Sequence, residues 1–260
     1  MASAMIGGLL KSGWDPGSIS VVEIDRSTRA QLESRLSIKT APTIDSRVAD
    51  AACIVLAVKP QHMRAVANDL SPHLREQLVI SIAAGIRLTD LSRWLGDYSR
   101  VVRVMPNTPA LALAGVSGLC SMSGVDAQNR KNAERILGAV GSTVWFERED
   151  ELDAVTAVSG SGPAYVFYFI EALERAAVDL GLGEEAARKL ALETFSGAIK
   201  LAREAGEHPS ALRARVTSKG GTTERALNTL DADRVKDAIL RAVRAAADRS
   251  RELGEELGKD

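Results

Sequence analysis

The chain has 260 residues, 45% of them hydrophobic and 26% charged, the balance of a folded globular protein of one or two domains and not of a disordered chain. Lysine and arginine number 33 against 34 acidic residues, so no surplus of positive charge points to nucleic acid or an anionic membrane as partner. No run reaches the roughly 18 apolar residues needed for a membrane span, and the start lacks the basic segment of a secretion signal, so a cytoplasmic protein is expected.

The chain opens on MASAMIGGLL, a helix-like stretch where a doubly wound α/β domain ordinarily has an apolar strand and a glycine turn. Short β-branched runs follow: ISVVEI (19–24), CIVLAV (53–58), LVISIA (78–83), VVRVM (101–105), VSGLC (116–120) and TVWFE (143–147). Helix-patterned segments lie between most of them, at 27–36, 62–70, 89–95 and 126–140. This alternation predicts a mostly parallel, doubly wound sheet over residues 1–150. From residue 151 to 260 the strand runs stop, and AYVFYFIEALERAAVDLG, EEAARKLALETFSGAIKLAREAG and a last segment from about Ala232 read as an all-α half. Ala164 to Ile170 is apolar around most of a helix circumference and needs covering on every side, so a dimer built from this half is expected.

Cys53 and Cys120 each lie in an apolar run with no second cysteine or histidine at metal-ligand spacing, which reads as two buried thiols and no metal. His62, His73 and His208 are scattered and form no catalytic set.

Four kinds of stretch can carry chemistry. VVEIDRS (21–27) ends a strand on Asp25-Arg26-Ser27, where an acid suits the 2′-hydroxyl of NAD and an arginine the 2′-phosphate of NADP; a plain strand-to-helix turn with Ser27 as N-cap explains the spacing equally well. LAVKPQ (56–61), SIAAG (81–85) and RVMPNTPA (103–110) end three further strands on what would be one sheet edge, the place where open α/β sheets bind ligands. VSGSGPAY (158–165) suits a helix start at the domain junction, with Pro163 at the first position. VTSKGGTTE (216–224) combines the curl of Gly220-Gly221 with the hydroxyls of Ser218, Thr222 and Thr223 ahead of a helix, and reads either as an anion site or as a decorated helix cap.

Taken together, AVKPQ, SIAAG, RVMPNTPA, VSGSGPAYVF, GEHP (206–209) and TSKGGTTE resemble, in order and spacing, the pyrroline-5-carboxylate reductase family over nearly the whole chain. The resemblance implies a Rossmann domain followed by a helical dimerisation domain, a homodimer often assembled into rings such as a decamer, and hydride transfer from NADPH or NADH to the C=N bond of pyrroline-5-carboxylate. It implies cofactor contacts from Met1, Arg26, Ser27, Ala57, Val58, Lys59, Pro60, Ala83, Ala84 and Gly85, with Asn107 near the nicotinamide. Ser218, Gly220, Gly221, Thr222 and Thr223 would hold the substrate carboxylate, with Thr223 beside the ring nitrogen as the catalytic group. An imine can accept hydride already protonated, so the absence of an evident catalytic histidine is no objection.

Two departures stand out. The family usually has proline where this chain has Lys219, and Met1-Ala2-Ser3-Ala4 picks up in the middle of the family's first glycine turn. That second departure implies that a strand and turn, about ten residues, belong upstream, and that without them the strands at 19–24 and 53–58 face a gap. The competing expectations are a β-hydroxyacid or 6-phosphogluconate-type dehydrogenase, disfavoured because SGSGPAYVFYF lacks that group's catalytic lysine, and a truncated, non-catalytic dimeric protein.

Overall fold

The computed structural model, which describes residues 1–259, opens on a helix, α1 (Ala2–Lys11), whose inner stripe of Met5, Ile6 and Leu9 is buried. A short parallel β-α-β unit follows, built from β1 (Ser20–Val22), α2 (Arg26–Leu36) and β2 (Lys39–Ala41). Next come β3 (Cys53–Leu56), α3 (Pro60–Leu70), β4 (Leu78–Ser81), α4 (Leu88–Trp94), β5 (Val101–Met105), β6 (Gly115–Ser121), α5 (Ala127–Gly138) and β7 (Gly141–Trp145). These five strands lie in the order β3-β4-β5-β6-β7, parallel throughout except for the antiparallel β5–β6 pair.

The sheet is divided. Among the described residues β1 pairs only with β2 and β3 only with β4, so no ladder joins the strand at 20–22 to the one at 53–56. β4 is buried along its whole length, as a strand covered on both faces should be. Its alternate residues feed two cores: Leu78 and Ile80 pack with α1 and α5 residues such as Met5 and Leu137, and Val79 packs with Met63, Leu91 and Trp94 from α3 and α4.

After β7, α6 (Glu151–Val155) runs into a π-helical turn, Thr156–Gly160, closed by the Ser161 amide donating to the Thr156 carbonyl at 2.8 Å. Then come α7 (Gly162–Asp179), α8 (Glu184–Ala205), α9 (Pro209–Arg215), α10 (Thr222–Ala232) and α11 (Val235–Leu257). The chain separates into two compact units, Met1–Ser161 together with residues from Ala246 onward, and Gly162–Ala245. This division differs from the boundary at 150 read from the sequence. Wholly buried Leu152 belongs to the sheet's core, and Asp153 is hydrogen-bonded to Ser250, so both α6 and the end of α11 stay with the sheet.

In the helical unit the apolar circumference of α7 is not covered: Phe167 and Tyr168 are exposed, as are Leu190 and Ile199 of α8. Among the described residues no helix is long and apolar enough to cross a membrane.

Candidate active site

The turn after β1 is built by two side chains. Asp25, not Ser27, is the N-cap of α2: its carboxylate accepts from the Thr28 amide at 2.7 Å and from the Ser27 hydroxyl at 2.6 Å. Those bonds favour the charged form and hold the Asp25 carboxyl down at about 2, below the usual carboxylate range. Arg29 fixes the preceding residues by donating to the carbonyls of Glu23 and Ile24. Arg26, exposed on the first turn of α2, has no partner among the described residues, so the turn offers a free cation while its acid is occupied as a cap. Met1, at the start of α1, is exposed and accepts from the Met5 amide through its carbonyl.

Three strand ends lie side by side, because Leu56 is in register with Ser81 and Ser81 with Arg103. After β3, Ala57 and Lys59 are exposed, Pro60 starts α3, and no side chain caps that helix. Pro60 has no N–H and the His62 amide donates to the Lys59 carbonyl at 2.9 Å, so the Gln61 amide is the one left open to an anion at this start. After β4, Ile82 donates its amide to the Leu56 carbonyl at 3.1 Å, drawing the second loop against the first. Ala83 and Gly85 of this loop are buried and Ala84 between them is exposed, with Gly85 at φ +77°, a conformation that favours glycine. After β5, Asn107 is buried and its Oδ1 accepts from the Val116 amide at 2.9 Å, which fixes the amide plane. Its Nδ2 has no partner among the described residues and remains a donor for a ligand. The structure thus gathers 57–60, 83–85 and Asn107 on one sheet edge.

The turn at 218–223 lies in the helical unit. Gly220, at φ +74°, donates its amide to Glu224 Oε2 at 2.7 Å, and the Gly221 amide donates to the Ser218 carbonyl at 3.1 Å. Gly221 is the N-cap of α10 and carries no side-chain cap, so among the described residues the amides of Thr222, Thr223 and Glu224 have no partners, nor do the hydroxyls of Ser218, Thr222 and Thr223. A carboxylate is the ligand such a set of donors suits. Glu224 caps the turn through the Gly220 amide, while the amides of Thr222, Thr223 and Glu224 stay open among the described residues. Lys219 is exposed in the same turn.

Two buried charged residues, Arg103 and Asp153, and the half-buried Glu149 escaped the sequence reading. Arg103 of β5 is enclosed and donates to Glu149 Oε1 at 2.7 Å, and the same oxygen accepts from the Leu88 amide at 2.7 Å. Asp153 is also enclosed. The arginine inside the apolar run VVRVM was the available signal, since a charge in a covered strand demands a partner. Cys120 is buried, Cys53 half-buried, and neither forms a disulfide; burial pushes the Cys53 thiol up to about 12.

Residues 149–253 match the family model described as pyrroline-5-carboxylate reductase dimerisation, and residues 1–85 match that of NADP oxidoreductase, coenzyme F420-dependent. A pyrroline-5-carboxylate reductase of Pseudomonas aeruginosa is 44% identical over 260 residues, covering 100% of this chain and 95% of the relative. Among solved structures, a pyrroline-5-carboxylate reductase from Coxiella burnetii superposes with a TM-score of 0.91 at 39% identity, covering 97% of this chain and 94% of that one. The Plasmodium falciparum pyrroline carboxylate reductase with NADP bound gives a TM-score of 0.85 at 29% identity, with 97% and 94% covered.

Proposed function

Because the chain belongs to the pyrroline-5-carboxylate reductase family, we propose that it reduces the C=N bond of pyrroline-5-carboxylate to give L-proline, the last step of proline biosynthesis, with NADPH as the preferred donor. The observation that carries the reading is the turn at 218–223, where three amides and three hydroxyls within seven residues have no partner among the described residues. In the competing dehydrogenases a lysine on the first helix of the second domain is the catalytic group, and α7 contains none.

The sheet edge fits a dinucleotide: an uncapped helix start at Pro60, a glycine loop at Ala83–Gly85 and an amide donor on Asn107. When bound, NAD(P)H supplies the hydride. Arg26 meets the 2′-phosphate, aided by Ser27, and this favours NADPH because the Asp25 carboxylate is engaged as a cap and is poorly placed to select a free 2′-hydroxyl. Ala57, Val58, Lys59 and Pro60 line the cofactor, and so do Ala83, Ala84 and Gly85. Asn107 offers its Nδ2 to the nicotinamide carboxamide, Oδ1 being held by Val116.

On the substrate side, the amides and hydroxyls of the 218–223 turn hold the carboxylate. The Thr223 hydroxyl oxygen accepts the N–H of the protonated ring nitrogen, which keeps that proton and gains a lone pair as hydride reaches the imine carbon. Catalysis then rests chiefly on orientation of the two rings. The working form is a homodimer joined through the helical unit, and a ring of such dimers, as in a decamer, is the proposed higher assembly. The proposed compartment is the cytoplasm.

The test is the loss of NADPH absorbance when the purified chain is given pyrroline-5-carboxylate, with L-proline measured in parallel. Equal amounts of NADPH consumed and proline formed are expected. A chain that forms no proline with either NADPH or NADH contradicts the reading.

A further inference from the structure

The end of α11 presents one stripe, Ser250, Leu253, Gly254 and Leu257, to the sheet unit, at the i, i+3, i+4, i+7 spacing of a single helix face. The stripe meets the loop after β4 residue by residue. A Cβ built on Gly85 would stand 2.7 Å from Leu257 Cδ1 and 3.6 Å from Leu253 Cβ, so the loop lies directly against these leucines. Two residues on, the Arg87 guanidinium covers Gly254: a Cβ there would meet its Nε at 3.0 Å and an Nη at 3.1 Å. Arg87 reaches Asp153 Oδ2 at 4.0 Å, and Asp153 Oδ1 accepts from the Ser250 hydroxyl at 2.7 Å, with Asp153 and Ser250 both buried. Beyond the loop, Arg93 donates to the Gly258 carbonyl at 3.0 Å.

We propose that the last two turns of α11 position the loop at Ala83–Gly85 for the nicotinamide cofactor, with Asp153 as the positioning residue that ties Ser250 to Arg87. The inference rests on the reading that this loop lines the cofactor. Ala84 faces outward while Ala83 and Gly85 are held from behind, so the docked helix sets how far the loop projects. A loop already held in its bound shape loses less freedom on binding, and loosening it weakens the cofactor before it touches the substrate.

Binding of NADPH, read from its fluorescence, separates this role from general stability. In Leu257→Ala the dissociation constant for NADPH should rise about tenfold, while kcat at saturating cofactor, KM for pyrroline-5-carboxylate and molar mass change less than about twofold. Leu257→Met should restore binding. Gly254→Ala supplies the second arm: alanine favours the helix, so the melting temperature should not fall, yet the added methyl must displace Arg87 and weaken NADPH binding by about threefold or more. NADPH binding equal to wild type in both variants overturns the inference. So does a Leu257→Ala protein that loses stability, mass and both substrates together while Gly254→Ala binds normally. A wild-type chain that binds neither NADPH nor NADH removes the underlying reading of the loop and the inference with it.

Discussion

In the sheet unit the buried apolar residues form two clusters on either side of β3–β7, with Leu78, Ile80, Leu119 and Leu137 wholly enclosed. The unit Gly162–Ala245 encloses, among the described residues, only Ile170, Ala187 and Ala191 of its apolar residues, while Phe167, Tyr168, Leu190, Ile199 and Leu240 stand exposed. One region is therefore closed by its own chain, and the other offers an apolar surface far larger than isolated exposed residues explain. The same contrast divides the chemistry: open strand ends with glycine, lysine and asparagine in the first unit, and a turn of free amides and hydroxyls in the second.

The sharpest way to break the contrast is Phe167→Asp. In a symmetric dimer each substitution acts twice, so losing a buried aromatic at both places costs on the order of 3–6 kcal/mol and should raise the dimer dissociation constant about 100-fold or more. Light scattering should show the mass halving on dilution, with activity falling alongside it. Leu119→Ala, at an enclosed position of the sheet unit, should cost about 3 kcal/mol, and its melting should not depend on protein concentration. A concentration-dependent loss there would erase the distinction between the two regions.

Within the helical unit, Thr223→Val keeps the shape and removes the hydroxyl. It should lower kcat about 100-fold while circular dichroism and molar mass stay as in the wild type. In the sheet unit, Arg26→Ala should raise KM for NADPH about tenfold and leave KM for NADH nearly unchanged. The smallest effect concerns the cap of α2. Asp25 is held at about 2 when folded, so its favourable contribution is present above the usual carboxylate range and is lost as the pH falls toward 2. A carboxyl resonance of Asp25 titrating near 2, and moving part of the way up in Ser27→Ala while the Thr28 amide bond stays in place, would confirm that the Ser27 hydroxyl and the cap act together.

Much of this was legible in the residues. The six β-branched runs each became a strand, since apolar runs of that length have little else to do between helices. β2 was missed because Lys-Thr-Ala carries a single β-branched residue and pairs only through its backbone. The cap of α2 lies two residues earlier than Ser27, because both Asp25 and Ser27 suit an N-cap and only geometry decides between them. Nothing local marked Asp153, whose partner Ser250 lies 97 residues away; pairing over such a distance is a property of the fold and leaves no trace in spacing.

Transfer of deuterium from NADPH labelled at the transferring position of its nicotinamide ring tests the central claim most directly. The account predicts L-proline carrying one deuterium at the former imine carbon, formed at an ordinary enzymatic rate. Proline free of the label, or none formed at all, would contradict it.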